Sequence, residues 1–173
     1  MPESLLAWFN RYIDDPKKLE GRLAGRPVLL YEPPEQPEPE AGSDEDDDFQ
    51  FRTQSGVSVP VIGGGEPVAV LVEKTKDNAF QRRVTIGRTS NNDIVLEDAS
   101  VSRFHAWLES DEKGGWSIVD AGSRNGTWVG PKKLTPKNGA GLANGTKVRV
   151  GTIELTFLTA PGFAKLLKEK ATG

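Results

Sequence analysis

From residue 67 onward the chain is a series of short apolar runs separated by polar turns, and this alternation constrains its fold most. The runs contain four to seven residues, are rich in β-branched and aromatic side chains, and are bounded by Asn, Asp, Ser or Gly. Many short strands at close spacing, with no long helix between them, predict an antiparallel β-sandwich or barrel. We assign the β domain to residues 67–160, and a C-terminal helix and tail to residues 161–173.

The segment 1–31 has a different pattern. In residues 2–13, four apolar side chains fall on one face at helical spacing, with Leu6 and Trp8 beside them: Leu5, Phe9, Tyr12 and Ile13. Residues 16–25 predict a weaker second helix, and the apolar run Val28–Tyr31 is compatible with a strand. We predict a small helical appendage that lies on the domain or on a copy of itself, or that serves as a docking helix for another protein. The remaining alternative is that the segment is disordered.

Residues 32–66 form an acidic linker rich in proline and glycine. Between Glu35 and Asp48 there are eight acidic residues and no basic one. Such a segment cannot bury enough apolar surface to offset its ordering entropy, so we predict that it is disordered. Residues 1–66 carry a net charge of −8, from 6 basic and 14 acidic residues, and residues 67–173 carry +5, from 16 and 11. The basic part therefore attracts the acidic front or an external anion.

Composition excludes several classes of site. The chain has no cysteine, which excludes disulfides and thiolate metal sites and fits a cytoplasmic location, and its single histidine cannot form a histidine-rich metal centre. It contains neither a nucleotide-binding glycine motif nor a convincing carboxylate pair, so we predict no cofactor, metal or catalytic residue. No apolar run approaches the ~20 residues of a membrane span. A charge of +5 is too mild to predict nucleic-acid binding.

Three polar loops between the apolar runs contain the candidate site. They read GRTSNND at 87–93, EDASVSR at 97–103 and DAGSRNG at 120–126. Binding residues concentrate on loops that a rigid scaffold holds in place. The loops share hydrogen-bond donors suited to a doubly charged oxyanion, namely Arg88, Ser102, Arg103, Arg124 and Asn125.

Two of these loops have alternative interpretations. Arg88 could form an ordinary surface ion pair with a nearby aspartate, either Asp93 or Asp98. The spacing of Ser102 and His105 invites a serine–histidine nucleophile, but the strand–GxSxG–helix context of such a site is absent. We interpret His105 as a hydrogen-bonded brace for the Ser102 loop.

Four motifs occur in a fixed order: Gly87-Arg88, DIVL at 93–96, SxxH at 102–105 and DxxSxNGT at 120–127. Together they resemble the forkhead-associated (FHA) domain, a family that binds phosphothreonine peptides. The resemblance covers roughly residues 67–159. It implies an eleven-stranded β-sandwich whose apical loops hold the phosphothreonine.

The resemblance also implies roles for individual residues. These are phosphate binding for Arg88, Ser102 and Arg103, peptide binding for Arg124 and Asn125, and loop support for Gly87, His105, Gly126 and Thr127. One departure concerns Gly130-Pro131, because the family commonly has Asn-Gly there. A peptide contact from asparagine is therefore missing, and peptide selectivity is less defined than phosphate binding.

The sequence thus predicts a non-catalytic, phosphothreonine-dependent adaptor in Ser/Thr kinase signalling. Its expected partner is a phosphothreonine-containing protein, either a Ser/Thr protein kinase or a kinase substrate, with no membrane or nucleic-acid ligand. Thr53 is the one threonine before residue 67. It is a candidate phosphosite that the chain's own domain would capture, as in some bacterial members of the family. The alternative is a scaffold that acts through the N-terminal helix without reading phosphate.

Overall fold

A computed structural model describes residues 3–33, 67–74 and 82–172 of the chain. Most of the predicted disordered linker, residues 34–66, lies outside these ranges, and so does Thr53. The described residues form two β-sheets and three helices. None of these helices is both long and apolar enough to cross a membrane.

The first sheet has seven strands, paired antiparallel throughout: β1 (Glu3–Ser4), β2 (Val28–Tyr31), β3 (Val68–Leu71), β8 (Thr127–Val129), β9 (Lys132–Lys133), β11 (Thr146–Val150) and β12 (Ile153–Leu158). Their spatial order is β1–β3–β2–β12–β11–β8–β9. Along β11, Val148 and Val150 are buried, whereas Lys147 and Arg149 are exposed. This alternation is the one that the sequence predicts for a half-buried strand.

The second sheet has five strands: β4 (Val84–Gly87), β5 (Ile94–Val95), β6 (Ala106–Ser110), β7 (Trp116–Asp120) and β10 (Gly139–Leu142). Their order is β10–β7–β6–β4–β5, and every pair is antiparallel except β4 with β5. The predicted antiparallel sandwich is confirmed. The described residues contain twelve strands rather than the implied eleven, and the N-terminal segment contributes two of them.

The main core lies between the two sheets. Side chains from both sheets meet there with almost no exposed surface, among them Ile86, Leu108, Ile118, Val148 and Phe157. Burial of each such side chain contributes about 1.5–3 kcal/mol to folding. This core makes the sandwich a rigid support for the loops at its end.

Three helices cover part of the outer face of the first sheet: α1 (Leu5–Tyr12), α2 (Pro16–Leu23) and α3 (Ala160–Thr172). Side chains set the starts of the first two. The Ser4 hydroxyl accepts the Ala7 amide at 3.0 Å, and the Asp15 carboxylate accepts the Lys18 amide at 3.1 Å. Pro16 occupies the first position of α2, where its missing N–H costs no hydrogen bond.

The helices and the sheet enclose a second apolar cluster. Trp8 of α1 packs edge-on against Phe163 of α3, with ring centroids 5.2 Å apart, and Leu23 of α2 is equally buried. Leu30 and Leu71 contribute from the sheet beneath. The N-terminal helices therefore lie on their own domain, which is the first of the alternatives that the sequence allowed.

Strand β2 is an interior strand of the first sheet. Its Leu29 is paired with Phe157 of β12 on one side and with Val70 of β3 on the other. The boundary drawn between a segment 1–31 and a domain 67–160 therefore separates strands that share one hydrogen-bonded sheet. Residues 28–31 are physically part of the sandwich.

Candidate functional site

The first loop of the site begins where β4 ends. The Arg88 amide donates to the Ser102 carbonyl at 3.0 Å, which joins this loop to the next. A Cβ on Gly87 would lie 2.1 Å from the Arg103 carbonyl oxygen, so only glycine permits this close approach. Asn92 adds a second tie, since its side-chain amide donates to the same carbonyl at 2.7 Å. The Arg88 side chain is left exposed at the strand end.

The second loop is held by His105, which is fully buried. The Ser102 amide donates to Nδ1 of His105 at 3.0 Å, so Nε2 carries the proton and donates to the Gly126 carbonyl at 2.9 Å. Burial lowers the pKa of His105, against smaller opposing effects of the Gly126 carbonyl and Asp120. The ring is therefore neutral, and its 4.0 Å separation from the Asp120 carboxylate is not an ion pair.

The third loop is organised by the buried carboxylate of Asp120. It accepts hydrogen bonds from the Ser123 hydroxyl at 2.5 Å and from the Thr127 hydroxyl at 2.7 Å, and from the Gly122 and Ser123 amides. Burial alone would raise the pKa of Asp120, but these hydrogen bonds together lower it below its usual 3.8. Gly126 has a φ of 89°, which is the left-handed conformation that glycine adopts freely.

Two further contacts join the second and third loops. The Arg124 amide donates to the Ser102 hydroxyl oxygen at 3.0 Å, and the Asn125 side chain donates to the Ser100 carbonyl at 2.8 Å. Ser102 thus has its oxygen engaged as an acceptor while its own O–H remains able to donate. The Asn125 side-chain oxygen likewise stays available as an acceptor.

The five predicted donors come together around one shallow depression of about 180 Å³. It is lined by Arg88, Ala99, Ser100, Val101, Ser102, Arg103, Arg124 and Asn125. Within the described parts of the chain, none of the three arginines forms an ion pair. The depression therefore offers three guanidinium groups, a hydroxyl and an amide to a ligand, all on loops tied to one another.

The alternative ion pair of Arg88 is wrong, because both candidate aspartates are occupied elsewhere. Asp93 is buried and bonds to Lys74 at 2.6 Å and to the Thr85 amide at 2.9 Å. Asp98 accepts the amide and the hydroxyl of Ser100 at 2.8 and 2.5 Å. Neither carboxylate neutralises the arginine.

Sequence reasoning missed Ser100 as a residue that supports the site. Its hydroxyl accepts the Thr152 amide at 2.9 Å, and its carbonyl holds Asn125. The Asp98-x-Ser100 spacing, which is typical of an Asx turn, is the signal that indicates a fixed loop here. The contact with Thr152 is separated by 52 residues in sequence and leaves no local signal.

The arrangement is suited to binding rather than to catalysis. Both nitrogens of His105 are used in structural hydrogen bonds, so the ring cannot accept a proton from Ser102. The described residues contain no group of three or more His, Asp and Glu side chains placed to hold a metal ion. With these two kinds of catalytic group excluded for the described residues, the site consists of hydrogen-bond donors that converge on an open depression.

Comparison with known proteins agrees with this geometry. The FHA domain model matches residues 84–151. The glycogen accumulation regulator GarA of Mycobacterium tuberculosis is 41% identical over 120 residues, which cover 65% of this chain and 70% of that protein. The oxoglutarate dehydrogenase inhibitor of Corynebacterium diphtheriae is 37% identical over 116 residues, which cover 63% of this chain and 76% of that protein. The chain therefore belongs to the FHA-domain family.

Proposed function

We propose that this protein is a non-catalytic adaptor that binds a phosphothreonine on a partner protein within Ser/Thr kinase signalling. The observation that carries the proposal is the convergence of Arg88, Ser102, Arg103, Arg124 and Asn125 around one depression. In it, Arg88, Ser102 and Arg103 bind the phosphate, and Arg124 and Asn125 bind the peptide beside it. Gly87, His105, Gly126 and Thr127 hold the loops in position.

The donor set fits a phosphate better than a single carboxylate. A phosphothreonine presents three acceptor oxygens and a charge of about −1.5 to −2 at neutral pH, which several cationic donors can share. Charge-assisted hydrogen bonds contribute about 1.5–3 kcal/mol each before ordering and desolvation costs are subtracted. Three arginines in prearranged loops can therefore give micromolar, phosphorylation-dependent binding.

The test is titration of a phosphothreonine peptide library against the wild-type chain and Arg88→Ala. We expect binding only to phosphorylated peptides, weakened about 10- to 100-fold by Arg88→Ala because one charge-assisted contact is lost. The matched control is Arg82→Ala, which removes an exposed arginine at the opposite end of β4. Absence of phosphorylation-dependent binding by the wild type would refute the proposal.

The relatives favour a regulatory role. One is named a regulator of glycogen accumulation and the other an inhibitor of oxoglutarate dehydrogenase. An oxoglutarate dehydrogenase is accordingly the first folded partner to test, together with phosphothreonine segments of Ser/Thr kinases. A cytoplasmic location is part of the same proposal, and neither a membrane nor a nucleic acid is among the ligands proposed.

We further propose that phosphorylation of Thr53 regulates the site by intramolecular capture. The two described ends of the linker lie together, because Tyr31 is paired with Val68. Pro33 lines a groove with Ser100, which also lines the phosphate depression. Thr53 lies 14 positions before Pro67, and this stretch can extend to roughly 50 Å, which is ample for a small domain.

Intramolecular capture predicts competition with external ligands. Phosphorylating Thr53 should weaken binding of an external phosphothreonine peptide by at least about tenfold, since a tethered ligand has an effective concentration near the millimolar range. The measurement is peptide affinity before and after phosphorylation, with Thr53→Ala treated identically as the control. Unchanged affinity of the phosphorylated chain would rule out capture.

The alternative scaffold function has one observation in its favour. Leu6 of α1 and Ile13, which directly follows α1, are 53% and 42% exposed. Deleting residues 1–15 would also remove the buried Trp8, so the cleaner variant is Leu6→Gln with Ile13→Gln. Loss of partners in this variant, with no effect of Arg88→Ala, would favour the scaffold.

A further inference from the structure

The helices leave part of the outer face of the first sheet open. On this part, strand pairing places Lys133 opposite Trp128, and Trp128 opposite Arg149. The Lys133 Nζ atom lies 5.4 Å from the centroid of the Trp128 ring, and the Arg149 Cζ atom lies 4.0 Å from it. Both cationic side chains are exposed, and the indole is half-buried. We name Lys133, Trp128 and Arg149 the cationic row.

Within the described part of the protein, no ion pair neutralises the cations of the cationic row. Neither Lys133 nor Arg149 forms an ion pair with any acidic residue of residues 3–33, 67–74 or 82–172. Glu154 of β12 is paired with Arg149 of β11. Both residues line a depression of about 340 Å³, yet their side chains are not bonded to each other. Stacking on Trp128 orients the cations without cancelling their charge.

The cationic row adjoins the phosphate depression at the Asn125–Gly126 turn. A Cβ on Gly126 would lie 2.6 Å from Cε of Lys133 and 3.1 Å from the Trp128 ring, so both side chains rest on the Gly126 turn. Asn125, the preceding residue, lines the phosphate depression. An extended ligand advances about 3.3 Å per residue, so a ligand that leaves the depression past Asn125 reaches the row within a few residues.

We propose that the cationic row is a second subsite that binds acidic side chains flanking the phosphothreonine of the same ligand. This inference rests on the proposed function. Carboxylates of the ligand pair with Lys133 and Arg149, and Trp128 supplies the surface against which the ligand chain lies. The phosphate contacts of Arg88, Ser102 and Arg103 cannot discriminate among phosphothreonine proteins, because the phosphate is common to all of them. The row provides that discrimination through charge complementarity.

The test compares two phosphothreonine peptides that differ only in their flanking residues, Glu and Asp in one and Gln and Asn in the other. Calorimetric titration measures both affinities for the full chain and for Lys133→Met, Arg149→Gln and the double variant. Methionine keeps the apolar stem of Lys133 against Gly126, so the loop beneath should be unchanged. The matched control is Lys132→Met, which removes the same charge from β9 one position away from the row.

We expect the wild-type chain to prefer the acidic peptide. Each single variant should reduce that preference about two- to fivefold, which is the size expected for a partly exposed ion pair. The affinity for the peptide with flanking Gln and Asn should be unchanged. Lys132→Met should keep the preference, which separates the row from a general effect of net charge. The indole N–H signal of Trp128, assigned with Trp128→Phe, should shift on titration with the acidic peptide only.

Other outcomes overturn the inference in distinguishable ways. Equal affinity of the wild type for both peptides, or an intact preference in the double variant, removes the subsite but leaves the proposed function standing. If neither phosphopeptide binds, the proposed function fails as well.

Discussion

His105 connects the two loops that carry most of the candidate ligand contacts. Its Nδ1 atom accepts the Ser102 amide and its Nε2 atom donates to the Gly126 carbonyl, which requires the neutral ring protonated on Nε2. A second proton on Nδ1 would remove the lone pair that accepts from Ser102. The geometry of the Ser102 loop is therefore linked to the protonation state of one buried side chain.

The first prediction concerns stability against pH. Burial lowers the pKa of His105 in the folded chain below its usual 6.5, so between these two values the unfolded chain binds more protons. The stabilising contribution of His105 is therefore complete above pH 6.5 and is lost as the pH falls through the folded pKa. We expect the free energy of urea unfolding to decrease over that window. The measurement omits phosphopeptide, because the phosphate itself titrates near pH 6.

The control is His105→Ala, which removes the only histidine of the chain. At pH 7.5 this variant should unfold more easily by about 1–3 kcal/mol, because the Ser102 amide is left without its buried acceptor. The unfolding free energy of this variant should also not show the decrease that the wild type shows just below pH 6.5. A wild-type decrease that persists in His105→Ala would assign the titration to other groups.

At the scale of elements, local patterns predicted the strands and helix starts. Contacts between residues far apart in sequence determine strand β1 and the packing of the helices. The alternation of β11 and the Asp15-Pro16 start of α2 follow from residues within one turn or strand. Strand β1 has only two residues and exists because Glu3 is paired with Ala69, far along the chain. No local pattern distinguishes such a strand from the residues that begin a helix.

Helix α1 shows how tertiary packing selects among apolar faces. Its helical spacing predicted a shared face of Leu5, Phe9, Tyr12 and Ile13, but the buried side chains are Leu5, Trp8 and Tyr12. Ile13 lies one residue beyond the end of α1 and is 42% exposed. Trp8 lies three residues after Leu5 and so shares its helical face, where its ring packs against Phe163 of α3. That partner lies more than 150 residues away, so the sequence of α1 alone could not indicate it.

The candidate site also combines features that local sequence predicts with features that it does not. The five donors could be predicted because their types and spacing within three loops match an oxyanion-binding family. The hydrogen bonds that join the loops could not be predicted, since Ser102 contacts Arg124 across 22 residues and Asn125 contacts Ser100 across 25. The sequence thus predicted which side chains converge on the depression, and the fold determines how their loops are held together.

At the scale of the whole molecule, the N-terminal segment is part of the sandwich although the FHA model matches only residues 84–151. Strand β2 lies between β3 and β12, and all four of its residues are buried. The first helices bury Trp8 and Leu23 against the same sheet. The chain therefore folds as one unit in which residues 3–33 complete the first sheet.

The last prediction is that a chain consisting of residues 67–173 does not fold cooperatively. Removing β2 separates β3 from β12 and exposes the apolar face that the helices cover. Each large side chain lost from these cores contributes about 1.5–3 kcal/mol, and nine such residues of 3–33 are buried, whereas a domain is stable by only about 5–15 kcal/mol. Circular dichroism during urea titration should show no sigmoidal transition.

The matched control keeps every residue of the sandwich and cuts only the linker. A protease site inserted between Gly42 and Ser43 allows the purified chain to be cleaved after it has folded. The two pieces should remain associated through β2, and the urea midpoint at high protein concentration should stay close to that of the uncut chain, because the buried contacts are intact. A cooperative transition of residues 67–173 alone, with a midpoint near that of the whole chain, would show that the N-terminal segment is dispensable. Phosphopeptide affinity of the cleaved complex then tests whether the linker's continuity matters for the site.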